Sequence, residues 1–389
     1  MESNYDFSDI APYDNEQFKD KLKSLVKEPG FMHAVTSVMP GVDYDKFAAD
    51  ILHISNKDDF QRHVMGKFLE QIAANTTDGI TYSGIENVDQ SKNYTYITNH
   101  RDIVLDSAFL NLGFLRHGIT TSEIAIGDNL LIYEWITDLV KINKSFIVKR
   151  NLRLTQALEA AKQLSAYIHY AITDKKESVW IAQREGRAKD STDLTQEGVV
   201  KMLSFGGDKP DIAGRLAEIN IMPATISYEF DPNDYLKAKE FLQRHRNPEF
   251  KKSQHDDLFS METGMLQYKG RVHIAISKCI SDELLALPAD MDKAEFFKTA
   301  CHIIDCRIHT GYKIYPVNYI AYGHAFNDDM YADRYTPEEE ATVEKYIESQ
   351  LDKVDLPDIT PEEREFMRHR MWEMYANPLR NKLIAAGAC

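Results

Sequence analysis

Residues 94–115, YTYITNHRDIVLDSAFLNLGFL, place a strand, a tight polar turn and a helix in one stretch. Tyr94 to Thr98 interleaves aromatic and β-branched residues, which suits a pleated strand, and Ile103 to Leu115 is apolar at helical spacing. Outward from it, EIAI (123–126), SFIV (145–148), SVWIA (178–182), INIMPATISYE (219–229) and RVHIAIS (271–277) read as further strands, with a long helix from Leu152 to about Thr173. Strands alternating with helices predict an α/β fold, a mostly parallel sheet flanked by helices. Residues 1–85 read as a small N-terminal helical domain, with Phe18, Leu22, Leu25 and Phe60, Val64, Phe68, Ile72 at helical spacing. Residues 86–330 form the α/β domain, in which the charged stretch 231–267 is an insertion or lid, and 331–389 form a C-terminal helical tail. Thr336-Pro337-Glu338-Glu339 and Thr360-Pro361-Glu362-Glu363 predict two helix starts, with Thr as cap, Pro in the first turn and Glu closing a capping box.

The 389 residues carry 46 Lys plus Arg against 61 Asp plus Glu, a net charge of −15. That balance argues against nucleic acid as a partner and requires any phosphate to be bound locally. No charge-free run reaches the roughly 18–20 residues of a membrane span. The acidic, polar start predicts neither a secretory nor a transit peptide, which gives a cytoplasmic protein. Four cysteines lack C-x-x-C spacing and read as thiols, and the histidines lack H-E-x-x-H spacing, so no metal site and no cofactor are expected.

Strand ends are where α/β sheets bind ligands. His100 leaves the end of the first of these strands, and Asp106 sits far enough into the following helix to reach back to its ring. A carboxylate on one ring nitrogen fixes the tautomer and leaves the other nitrogen to take a proton from a hydroxyl. Lys149 and Arg150 end SFIV, and Gln183-Arg184-Glu185-Gly186-Arg187-Ala188-Lys189 follows SVWIA. Lys149, Arg150, Arg184, Arg187 and Lys189 at neighbouring strand ends, with Glu185 to order them, predict a local anion site. Pro223 within INIMPATISYE predicts an edge strand or a bulge, since it lacks a ladder donor.

In their order, H-R-D-I-V-L-D, F-I-V-K-R, R-E-G-R and the Pro223 strand ending in Tyr228-Glu229 resemble the four blocks of the glycerol-3-phosphate and lysophosphatidate acyltransferase superfamily, over about residues 90–230. The run from Pro223 to Tyr228-Glu229 looks closer to the glycerol-3-phosphate branch. The resemblance implies that His100 is the general base, oriented by Asp106. It also implies that Arg150, Glu185, Gly186 and Arg187, with Lys149, bind the acceptor's phosphate, and that Pro223 belongs to the acyl-chain block. Arg101, Asp102, Arg184 and Lys189 are further candidates. Two departures stand out. The usual H-x4-D is H-x5-D here, so either Asp106 still points back or Asp102 orients His100 or caps the helix. Gln183-Arg184 also replaces the usual aromatic-Pro before Glu-Gly, and the arginine follows the glycine directly.

The implied activity is transfer of a fatty acyl group from acyl carrier protein or acyl-CoA to glycerol 3-phosphate or lysophosphatidate in phospholipid synthesis, without an acyl-enzyme. An alternative keeps the chemistry and moves the acceptor to another lipid hydroxyl, such as an acylated amino acid; a third makes the chain a non-enzymatic lipid-binding protein. Amphiphilic substrates imply peripheral contact with the inner face of a membrane. Phe366, Met367, Met371, Trp372, Met374 and Tyr375, among basic residues of the C-terminal tail, are candidates for that contact.

Overall fold

The computed structural model describes residues 5–388. Seven strands form one sheet: β1 (Ile80–Ser83), β2 (Thr95–Thr98), β3 (Glu123–Gly127), β4 (Ser145–Val148), β5 (Val179–Ala182), β6 (Ile221–Tyr228) and β7 (Val272–Ile276). Their order is β1-β7-β6-β2-β5-β3-β4, and every pairing is parallel except β6 with β7. The six strands read from sequence are all present. β1 is the exception: four residues within the stretch read as helical form an edge strand against β7.

Both faces of the sheet are covered, so neighbouring residues of one strand serve different cores. Ile97 of β2 faces a core shared with Phe146, Ile168, Leu203, Leu216 and Ile304. Tyr96 beside it faces Phe109, Leu112 and Phe114 of the helix Leu105–Arg116. The N-terminal helices bury Phe18, Leu22, Phe31 and Phe60 together with Ile142 of the helix Glu134–Ile142.

Pro223 lies in a strand paired on both sides, with Ile97 of β2 and, through its carbonyl, with Ser277 N at 2.9 Å. The expected edge or bulge is therefore absent. β7 ends at Ile276, opposite Ala224, so the missing N–H falls at the frayed end of the antiparallel ladder, where the bond from Ser277 N to Pro223 O is still made.

The helices Pro337–Leu351 and Pro361–Ala388 begin as the sequence predicts: Thr336 with Glu339, and Thr360 with Glu363, exchange side-chain and backbone hydrogen bonds. The Met and aromatic residues proposed for membrane contact are instead core. Met367, Met371, Trp372, Met374 and Tyr375 are buried against the helices Asp234–Arg246, Pro316–Phe326 and Pro337–Leu351. Of the nearby basic residues, Arg364 and Arg368 pair with Glu348 and Arg370 with Glu373, while Lys382 donates to Tyr312 O. Among the described residues no helix is long and apolar enough to cross a membrane. Cys279 and Cys301 are free, Cys306 is disulfide-bonded, contrary to the thiol reading, and Cys389 lies outside the described residues.

Candidate active site

β2 is central, and its carboxyl end delivers His100 into the crevice between the chains that follow β5 and β6. His100 Nδ1 lies 3.0 Å from Asp106 Oδ2. The same oxygen accepts Arg101 N at 2.7 Å and Asp102 N at 3.0 Å, while Oδ1 accepts the Tyr228 hydroxyl at 3.1 Å. Asp106 is fully buried in the first turn of its helix, and the residue added by H-x5-D is absorbed in the turn 101–104, which curls over that carboxylate. A carboxylate bound by two backbone amides cannot swing away, so the imidazole it holds is fixed in tautomer and direction. Nε2 of His100 has no partner among the described residues, and the ring rests edge-on against Trp180.

Asp102 takes the other role open to it. Its Oδ1 accepts Val104 N at 2.9 Å and Leu105 N at 2.8 Å, capping the helix start, and its Oδ2 accepts Asn233 Nδ2 at 2.8 Å. Burial, and then the neighbouring Asp106, push its carboxyl above the usual range. The backbone of the helix Gln254–Leu266 presses on the same carboxylate: a Cβ on Gly264 would come within 2.0 Å of Asp102 Oδ2.

The candidate anion residues divide. Arg150 and Glu185 meet, Nη1 to Oε1 at 3.8 Å, over Gly127, where a Cβ would lie 2.7 Å from Arg150 Nε. Gly186 takes φ 68°, a left-handed turn suited to glycine. Ala188 N donates to His100 O at 3.0 Å, which fixes this loop beside the histidine. Arg187 is buried with its Nη1 unpartnered, and Arg184 Nε is likewise buried without a partner. Lys189 lies 3.3 Å from Glu240, and burial, followed by Arg187, brings its ammonium down to about 7. Lys149 is not part of this cluster: it pairs with Asp9 and with Gln163 at the sheet edge. Arg101 is buried between Asp193 (3.4 Å) and Asp231 (3.1 Å) and serves the scaffold.

On the other side of the His100 turn lies a large apolar cavity of about 1190 Å³. Ile103, Val104 and Ala108 line it beside the turn; Val35 and Phe68 come from the N-terminal helices and Met261 from Gln254–Leu266. Small-molecule pockets span roughly 300–1,000 Å³, so this cavity has room for a long hydrocarbon chain. Pro223 does not line it. Nothing in the N-terminal sequence identified this cavity, because its walls are ordinary apolar helix faces until they are assembled.

Residues 79–227 match the family model described as Acyltransferase, less than half of the chain but including all four sequence blocks up to Ser227. None of the curated proteins matches. Among solved structures, the chain is similar to the 1-acyl-sn-glycerophosphate (LPA) acyltransferase PlsC from Thermotoga maritima, at 13% identity and a TM-score of 0.39, over 75% of this chain and 95% of that one.

Proposed function

We propose that the protein transfers a fatty acyl group from a thioester of acyl carrier protein or coenzyme A to the hydroxyl of glycerol 3-phosphate or lysophosphatidate. The observation that carries this reading is the placing of the Asp106-held His100 between an apolar cavity and a cationic loop. The Acyltransferase match over the same residues supports it.

The chemistry follows from the atoms. Nδ1–H of His100 is held on Asp106, so Nε2 is the lone pair that takes the acceptor's hydroxyl proton. The alkoxide-like oxygen attacks the thioester carbonyl, the C–S bond breaks, and the imidazolium returns its proton to the departing thiolate. The acyl chain lies in the cavity beside Ile103 and Val104, where each methylene withdrawn from water contributes about 0.8 kcal/mol. Arg187, with Arg150 ordered by Glu185, holds the acceptor's phosphate.

The test is thiol release from a long-chain acyl thioester, followed with and without each acceptor, and product mass. Acceptor-dependent release that disappears in His100→Gln supports the reading. Release that is indifferent to acceptor, or unchanged in the variant, defeats it.

A further inference from the structure

The end of β6 runs beside the turn that carries His100 and bonds it at four points. Asn99 exchanges two bonds with the backbone of Ile226, donating from Nδ2 to Ile226 O at 3.0 Å and accepting Ile226 N on Oδ1 at 2.8 Å. Tyr228 donates to Asp106 Oδ1 at 3.1 Å, Asp231 meets Arg101 Nη2 at 3.1 Å, and Asn233 Nδ2 donates to Asp102 Oδ2 at 2.8 Å. Of these contacts, only that of Tyr228 reaches the carboxylate holding the His100 ring.

The two oxygens of Asp106 are held unequally. Oδ2 gathers His100 Nδ1, Arg101 N and Asp102 N, at 3.0, 2.7 and 3.0 Å, whereas the Tyr228 hydroxyl is the one donor to Oδ1 among the described residues. A carboxylate bonded through one oxygen can still pivot about it; a donor on the second oxygen fixes its plane. No Lys or Arg forms a salt bridge with Asp106 among the described residues, so its charge is spread over these neutral donors and the imidazole. Tyr228 is buried, and burial, followed by Asp106 and Asp102, pushes its phenol well above the usual range, so it stays a donor. Asp231, which also acts on that hydroxyl, is matched by Arg101 and Lys237.

We propose that Tyr228 is a positioning residue for the base: its hydroxyl fixes the plane of the Asp106 carboxylate and, through it, the direction in which His100 Nε2 meets the acceptor's hydroxyl. The proposal deepens the acyl-transfer reading and rests on it for the reaction that His100 performs. No bond is made or broken at Tyr228. A donor on Oδ1 favours the charged carboxylate, so the proton taken at Nε2 leaves a ring whose Nδ1–H stays on the nitrogen and is not passed to Asp106. The strand tied by resemblance to the acyl chain thus serves the base: Pro223 does not line the apolar cavity, and Tyr228, five residues on, holds Asp106.

Tyr228→Phe keeps the ring and removes only the hydroxyl. In this variant kcat falls about tenfold, the cost of a slightly misdirected base, while KM for the acceptor and for the thioester stay fixed. The charge freed on Oδ1 favours the imidazolium, so the acid limb of kcat/KM moves to higher pH, by up to about one unit. Added to Asp106→Asn, the change costs nothing further, because it acts through that carboxylate. The Nδ1–H resonance of His100, identified by NMR through its loss in His100→Gln, is displaced in Tyr228→Phe. A lower urea midpoint with native kcat and a native pH profile makes Tyr228 a packing residue and overturns the proposal, as do losses that multiply in the double variant. If the native chain transfers no acyl group, the proposed reaction falls and the resonance decides the coupling: unmoved by Tyr228→Phe, it overturns the coupling, and displaced, it keeps it.

Discussion

The turn after β2 and the loop after β5 are joined at the hydrogen bond from Ala188 to His100 O, yet they are built in opposite ways. In the turn, both oxygens of Asp106 and both of Asp102 are occupied by protein donors. In the loop, Gln183 Nε2, Arg184 Nε, Arg187 Nη1 and Ser191 Oγ are buried without partners. Each such group costs on the order of 1–3 kcal/mol in the folded state. The turn is complete by itself, as the proposed base requires, whereas the loop keeps donors to which the proposed acceptor could bond.

Substitutions on the two sides should therefore separate. His100→Ala should lower kcat by about 10²–10⁴-fold, the usual contribution of a general base. The thermal midpoint should barely move, because the ring's one bonded partner, Asp106, keeps its two amides and Tyr228. A loss below tenfold would remove His100 from the chemistry. Asp106→Asn should come next, and it should cost both rate and stability. With the amide oxygen turned to Arg101 N and Asp102 N, its NH2 faces the Tyr228 hydroxyl, whose own proton then has no acceptor, at about 1–3 kcal/mol, and the imidazolium formed in the reaction loses its counter-charge. Full stability with full rate would mean that the turn is not the rigid half of the pair.

Arg187→Met should produce a smaller effect with a different signature. KM for the acceptor should rise about tenfold with kcat nearly kept, and the unliganded protein should lose less stability than with Asp106→Asn, since the Nη1 of Arg187 makes no hydrogen bond and only its attraction to Asp102 is removed. If the variant is destabilised as strongly as Asp106→Asn, the contrast between turn and loop fails. Urea midpoints of the two variants, measured without substrate, decide it.

Much of this contrast is legible in the sequence. A strand-end histidine followed by a helix marks the turn, and clustered arginines around a glycine mark the loop. H-x5-D leaves Asp102 and Asp106 both open; the choice falls to Asp106 because the bend at 101–104 aims two backbone amides at it. What sequence conceals depends on long-range contacts. Lys237 and Lys252 do not stand out within the charged stretch 231–267 because their neighbour Arg187 lies some fifty residues or more away in the chain. Met371 and Trp372 show an apolar composition but not the helix Pro316–Phe326 that covers them. Lys149 shares a strand end with Arg150, yet the two side chains diverge, one toward Asp9 and the other toward Glu185.

The finest test of the unfinished loop is its pH dependence. Lys189 is brought down to about 7 by burial and Arg187 against the pull of Glu240, so its charge is lost progressively as pH rises through that value. An anion bound by the loop beside Lys189 favours the charged form, so affinity should be full below pH 7 and fall, by up to tenfold per unit, as pH rises above it. Without ligand the sign reverses: a lysine depressed below its unfolded value of about 10.4 makes folding more favourable as pH rises from 7 toward 10, because the unfolded chain then binds more protons. Sulfate is the suitable probe because its own charge does not change over this range. Sulfate affinity measured from pH 6 to 9 should decline in the native protein and stay flat in Lys189→Met; parallel curves for the two would place Lys189 outside the site.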